Sequence, residues 1–520
     1  MKAAMWRLFV LTLLAIACRS SQQSVDLLLT NGRVFTANPA RPWAEAVAIR
    51  GNRIVAVGFS ADLATMPATR RIDLHGRLVV PGINDAHLHE PWSVAAERID
   101  LQSNASADDV LKAIGGAHGT WINVQIPVTL VDDPRLTREA LDAAAPTKAV
   151  ALRNLAGHNS LLNTAALRAW NIGDTDPDPP GGWYGRANGK LNGWLYEHAL
   201  WMKDRAATEG APDAVIVAEM RRFATEAVRF GITSVQSMPA VHPDRVAPLV
   251  TQLGVPLRWR WIEIEMASVP DAPHWPTKYI ADGTPIERDA ALRDPYSDQP
   301  NTRGRMNFTD DQVRRAVELA AHGNQQLLFH AAGELPIEKF FAAMRAIAID
   351  WPAKRVRVEH GDFIGEFLPD AKRFGVVVVQ NPAHFTLAEL VRARYGTGRL
   401  RDFQLFRSLI DAGVPIAIGS DGPLNPWLNI MFAEMHPNNP GEAITREQAL
   451  IAYTRGSAYA EFAEREKGTI ARGMLADIAV LSQDIFTVAA SELPGTESLL
   501  TIIDGRVAYE KATRSSSTSR

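Results

Sequence analysis

Short runs rich in Val, Ile and Leu recur along this chain, many ending in Gly, Asn, Asp or Pro before a stretch of helical period begins. In the second half these strand-like runs are ITSVQSM (232–238), LRWRWIEIE (257–265), LLFHAAG (327–333), VRVEHGD (356–362), VVVVQNP (376–382) and PIAIGSD (415–421). Amphipathic helical patterns fall at residues 213–230, 310–322 and 336–347. Nearly continuous apolar strands alternating with such helices predict a parallel sheet covered by helices. Over residues 81–467 the alternation suits an α/β fold of the (β/α)8 TIM-barrel type carrying insertions. A doubly wound open sheet is the alternative, but no glycine-rich phosphate loop follows any of these strands.

The two ends of the chain read differently. Residues 25–80 hold short alternating runs, VDLLLTNGRVFT and AEAVAIRGNRIVAVG, with Asn31-Gly32 and Gly51-Asn52 as hairpin turns. A matching piece lies at residues 468–512, in DIAVLSQDIF and LLTIIDGRVAYE, with Asp504-Gly505 as its turn. Together they predict a small β-sandwich domain built from both ends, followed by a polar, disordered tail at residues 513–520.

Residues 1–18 stand apart from both. A start carrying Lys2 and Arg7 precedes an apolar run at residues 8–17, too short to span a bilayer stably. This predicts a bacterial signal peptide and an exported protein, periplasmic or membrane-anchored. Cys18 stands where a lipoprotein signal carries its lipidated residue, which would attach the chain to a membrane. Ala15 departs from the Leu or Val usual in such signals, so a plain secretory signal or a retained anchor are the other readings.

Composition narrows the chemistry. A length of 520 residues exceeds one compact core and points to two domains, one of them large. Charge is nearly balanced, Lys+Arg 55 against Asp+Glu 58, which offers no footing for nucleic acid. The single cysteine excludes an intrachain disulfide and any cysteine-cluster metal site. Metal chemistry here must therefore use nitrogen and oxygen.

The run LVVPGINDAHLH (78–89) offers the first ligands. On an extended backbone residues two apart share a face, so His87 and His89 make half of a first-row metal site. His330 closes LLF, His360 follows VRVE, and Asp421 ends IAIGSD. Each taken singly is as easily a structural residue. Four histidines and one aspartate at successive strand ends fit Zn²⁺, with Mn²⁺, Fe²⁺ or Ni²⁺ as alternatives.

With these motifs stand GHNSLLNTAAL (157–167), NGWLYEHAL (192–200), TKYIADGTPIERDAAL (277–292), FHAAGE, RVEHGD, IGSDGP, EQALIAYTRGSAYA and GTIARGMLADIAVL. The set resembles the amidohydrolase superfamily of metal-dependent hydrolases, in the branch called amidohydrolase family 3, or YtcJ-like. The resemblance covers nearly the whole chain beyond the signal and implies a (β/α)8 barrel with a β-sandwich formed by both ends. It also implies a ligand that spacing alone does not find: Lys278, carboxylated by CO₂ and bridging two divalent ions. On that pattern His87, His89, Lys278 and Asp421 hold one ion, and Lys278, His330 and His360 the other.

The resemblance departs at two places. Glu334 stands where an aspartate is usual, and the segment after the eighth strand lacks a common arginine and carries Trp427 and His436. These leave the ligands alone and bear on the substrate.

The function expected is hydrolysis of a C–N bond, an amide above all, in a small molecule. Water activated by the metals attacks, with Asp421 as general base and then general acid. His158, Gln380, Asn381 and His384 are the residues expected at the mouth of the site. A mononuclear aminohydrolase, which would leave Lys278 idle, is the first rival, and a binding protein on a retired barrel the second. A homo-oligomer is compatible with composition and motifs.

Overall fold

A computed structural model describes residues 24–90, 96–154 and 156–512. The signal segment at 1–18, Cys18 and the tail at 513–520 lie outside the described residues.

Parallel strands form the middle of the chain: Ile83–Leu88, Ile232–Ser237, Arg258–Trp261 continued by Glu263–Glu265, Thr277–Ile280, Leu327–Ala331, Arg357–His360, Val377–Gln380 and Ile416–Ile418. Neighbours pair in chain order, all parallel. The run LRWRWIEIE, expected as one strand, breaks at Ile262 and passes from a three-stranded to a six-stranded sheet. There the Ile262 N–H donates to Ser237 O at 2.9 Å and the Glu263 N–H to Pro276 O at 2.8 Å. At the other seam the Asp421 N–H donates to His87 O at 2.9 Å, joining the end of the last strand to the first.

Most of these strands are buried on both faces because helices cover the outside, and the polar residues they carry turn inward to the site. Val313, Ala316 and Val317 of helix Asp310–His322 and Phe340, Phe341 and Met344 of helix Glu334–Arg345 pack in one core with Phe329, Val358 and Val378. Burying such side chains supplies roughly 1.5–3 kcal/mol each, and this is what drives the layers together. The order and direction of these elements are those of a TIM-barrel-type α/β fold.

Between the first and second strands the chain departs to build a mixed six-stranded sheet, ordered Gly182–Ala187, Lys190–Glu197, Asn159–Leu162, Ala149–Arg153, Trp121–Gln125 and Glu97–Asp100. Val110, Ile114, Ile122, Val124, Val150 and Leu152 give it a core of its own.

Two further sheets lie outside this frame, the first from the N-terminal part alone and the second from both chain ends. One holds Arg53–Gly58, Ala46–Arg50, Val25–Thr30 and Ala68–Asp73. The other holds Arg506–Glu510, Ser498–Ile503, Ile478–Leu481, Leu78–Pro81, Arg33–Phe35 and Trp43–Ala44. Leu27, Val47 and Ile49 of the first and Val79, Ile478 and Ile502 of the second share one apolar cluster. Gly51-Asn52 and Asp504-Gly505 turn antiparallel hairpins. Asn31-Gly32 does not. Its flanking strands lie in different sheets, and Asn31, with φ at 56°, carries the chain across between them. Arg258 on the third parallel strand ties this unit to the middle, donating to Asp477 at 2.7 Å and to Asp504 at 2.8 Å. No helix among the described residues is long and apolar enough to cross a membrane.

Candidate active site

The site begins with the way Ile83–Leu88 is fastened. The buried carboxylate of Asp85 accepts from the His87 N–H at 3.2 Å, the Ser420 N–H at 2.9 Å and the Tyr453 hydroxyl at 3.3 Å. Burial pushes this carboxyl up to about 6 against those donors. Gly419 lets the last strand close in, since a Cβ there would lie 2.4 Å from the Cβ and N of His87.

His87 and His89 then point inward onto Lys278. The lysine Nζ lies 2.9 Å from His87 Nε2 and 3.2 Å from His89 Nε2. Asp421 Oδ1 is 3.5 Å from the first of these nitrogens and 3.4 Å from the second. Across the site Asp421 Oδ2 is 3.7 Å from His360 Nε2 and 3.3 Å from His384 Nε2. His87, His360 and Asp421 offer atoms all within 4.8 Å of one another. The His330 ring lies 4.5 Å from that of His360, centroid to centroid, and its Nε2 is 3.6 Å from Asp282.

Two of the strand-end residues hold unusual backbone, His360 with φ at 68° and Asp421 at 42°. Positive φ in residues with a Cβ is costly and concentrates at functional sites. Here it turns both side chains off the strand ends toward the centre.

Electrostatics favour the ligand forms of these groups. Burial disfavours imidazolium, bringing His87 down to about 4, lowering His89, and holding His330 and His360 well below the usual histidine value. Lys278 is only 1% exposed, and burial brings its ammonium down to about 8. Burial works against ionisation of Asp421, but His87, His384 and His89 outweigh it and keep the carboxylate charged. For His384 burial also opposes the charge, while Asp421 and Asp362 raise it.

The donor set fits a divalent metal. Neutral imidazoles and a carboxylate converge, and His330 Nε2 and His360 Nδ1 are buried with no hydrogen-bond partner. Orphaned polar atoms of this kind are costly unless something meets them.

Spacing did not reveal the groups behind the ligands. Glu359 Oε2 sits 2.5 Å from His87 Nδ1, and Arg357 donates to Glu359 Oε1 at 2.7 Å. The only signal in sequence was their place in RVEH, beside a candidate ligand. Glu197 likewise meets His158 Nδ1 at 2.9 and 3.1 Å.

A cavity of about 480 Å³ opens above the cluster, with Lys278, His330, His360 and Asp421 on its floor. His158 and His384 line it. Gln380 and Asn381 do not: both are fully buried, and their amides donate to His360 O at 2.7 Å and Gly419 O at 3.0 Å, supporting the strand ends. Ile286, Leu387, Val391, Phe403 and Leu424 give the cavity an apolar wall. The departures noted in sequence fall away from it. Trp427 and His436 are buried, His436 Nε2 bonding to Gln404 O at 2.8 Å, and Glu334 accepts from the Arg293 N–H at 2.8 Å.

Fold and site together define a barrel-type α/β protein with a candidate metal centre at its strand ends, beneath a cavity. Residues 70–509 match the model of the amidohydrolase family, and the chain belongs to that family. It is 29% identical over 491 residues to YtcJ of Bacillus subtilis (strain 168), whose given name is that of an amidohydrolase, covering 86% of this chain and 92% of the other. It is 28% identical to the N-substituted formamide deformylase of Arthrobacter pascens, covering 94% of this chain and 99% of that enzyme. Among solved structures, an uncharacterized metal-dependent hydrolase from Pyrococcus furiosus shares the fold, with a TM-score of 0.68 at 22% identity over 89% of this chain and all of that one.

Proposed function

We propose that this chain is an exported, binuclear amidohydrolase that cleaves a C–N bond, an amide above all, in a small substrate. The observation that carries the reading is Lys278, an amine buried against two imidazole nitrogens and beside Asp421. An ordinary lysine has no use for that place. With its proton lost, Nζ adds to CO₂, forming an N–C bond and releasing one proton, and the resulting carbamate offers two oxygens. His87, His89, Lys278 and Asp421 would hold one ion, and Lys278, His330 and His360 the other, Zn²⁺ being the first choice for such a set.

When bound, the ions supply Lewis acidity that lowers the pKa of water and polarises the scissile carbonyl. Asp421 takes the proton of the attacking water at a carboxylate oxygen and returns it to the departing nitrogen. His158 and His384 face the substrate from the cavity walls. The apolar wall takes a hydrophobic substituent, in keeping with the Arthrobacter relative's being an N-substituted formamide deformylase. Support for export is the N-terminal sequence alone, with Cys18 as the point of lipid attachment. We read the frame as a closed (β/α)8 barrel with a β-sandwich from both ends, on the strength of the seam bond from Asp421 to His87 and the shared apolar cluster.

The test is elemental analysis with a hydrolysis screen over N-acyl amino acids, N-substituted amides, lactams and cyclic ureas. About two ions per chain and turnover of an amide support the reading. A fully active metal-free protein ends it. The tight trio of His87, His360 and Asp421 favours the rival reading, a mononuclear aminohydrolase. One ion per chain with unmodified Lys278 would select that rival.

A further inference from the structure

His158 comes from the inserted sheet rather than from the parallel strands, yet its ring lies 5.4 Å from that of His330 and lines the same cavity. Its Nδ1 is committed to Glu197, 2.9 and 3.1 Å from the two carboxylate oxygens. Only Nε2 remains to meet a ligand.

Much of the surrounding structure serves this pairing. Glu197 is fully buried and holds φ at 52°, a conformation that side-chain-bearing residues adopt at a cost of about 1–3 kcal/mol. The Asn307 amide donates to Glu197 Oε2 at 2.8 Å. Gly283 leaves room for the carboxylate, since a Cβ there would lie 2.5 Å from Oε1. Trp201 packs edge-on against the imidazole at 4.8 Å and donates from Nε1 to Gly157 O at 2.8 Å, fixing the loop that carries His158.

We propose that His158 is a catalytic residue whose Nε2 hydrogen-bonds the scissile amide, and that Glu197 is its positioning residue. The proposal rests on the hydrolase reading above. An imidazole held in one orientation before the substrate arrives costs no reorganisation when charge develops, which is where preorganised groups gain their effect. A pair that only fastened the insert would have no need to stand on the cavity, where His158 lies.

The test uses the metal-loaded full chain and the amide with the highest kcat/KM in the screen. His158→Asn is expected to lower kcat by about 10²-fold or more while both ions stay bound. Glu197→Gln, which can still hold Nδ1, should stay within about tenfold of wild type. Glu197→Leu should fall as far as His158→Asn, and the double variant no further, because residues acting as a unit are not additive. Wild-type kcat in His158→Asn overturns the proposal, as does loss of metal in proportion to loss of activity, which would make His158 a ligand. Should Glu197→Leu fail to fold, His158→Asn and Glu197→Gln still decide the matter. A wild-type protein that holds two ions and hydrolyses no amide fails at the hydrolase reading instead, a different and separately visible result.

Discussion

Glu359 Oε2 lies 2.5 Å from Nδ1 of His87, with both side chains fully buried. The carboxylate is itself gripped by Arg357 through contacts of 2.7 and 3.1 Å, and this guanidinium together with the hydrogen bond from His87 outweighs burial to keep it ionised. It therefore accepts the Nδ1 proton and leaves the Nε2 lone pair directed at the site. Glu359→Gln should weaken metal binding about 10–100-fold, the usual cost of losing such a partner. Equilibrium dialysis against a competing chelator measures it, and unchanged affinity would deny the role.

Lys278 tests the bridge. Lys278→Ala should lose metal and activity together, and a short carboxylic acid in the medium should restore part of both, because a diffusible carboxylate can replace the carbamate. Wild-type turnover and metal content in the variant would remove the binuclear assignment.

Asp421 separates catalysis from ligation. Asp421→Asn keeps the shape and one oxygen but cannot accept the proton, so turnover should fall about 10²–10⁴-fold. Thermal unfolding must show an intact fold and elemental analysis retained metal. Turnover within a few-fold of wild type would pass the proton-carrying role to His384, which faces Asp421 Oδ2 at 3.3 Å.

Chelation should abolish activity, and Zn²⁺ or Mn²⁺ should restore it. Because ligands must be deprotonated to bind, the restoring affinity should weaken as pH falls.

Away from the site, burial and the neighbouring Glu263 raise the Glu265 carboxyl to about 7. A raised folded-state value means that the folded chain keeps a proton the unfolded chain has released. Its contribution is therefore greatest below the unfolded value near 4.5 and is lost as pH rises toward 7. Glu265→Gln should gain stability of order 1 kcal/mol over wild type at pH 8 and little at pH 4, partial exposure holding the figure down. Paired thermal melts at the two pH values check the sign.

Much of the frame was legible because its signals are local. Short apolar runs at ITSVQSM, LLFHAAG and VRVEHGD, bounded by turn residues and alternating with helical periods, read as strands, and the spacing of His87 and His89 puts both on one face of an extended backbone. The strand ends were visible because a histidine or aspartate closing an apolar run breaks its pattern. Lys278 was not: in TKYIADG it reads as a surface lysine, and only resemblance singled it out.

Tertiary structure decided what depends on distance in sequence. Asn31-Gly32 looks like a hairpin turn, yet pairing energy lies with other strands, and the turn becomes a crossing between sheets. Gln380 and Asn381 follow a strand end as cavity residues would, but the nearest unsatisfied carbonyls capture their amides. Glu359 reaches His87 across 272 residues, and Glu197 reaches His158 across 39. Period and spacing report which face a side chain occupies. They carry no information about which buried charge from another element will meet it, because that is set by packing the whole chain at once.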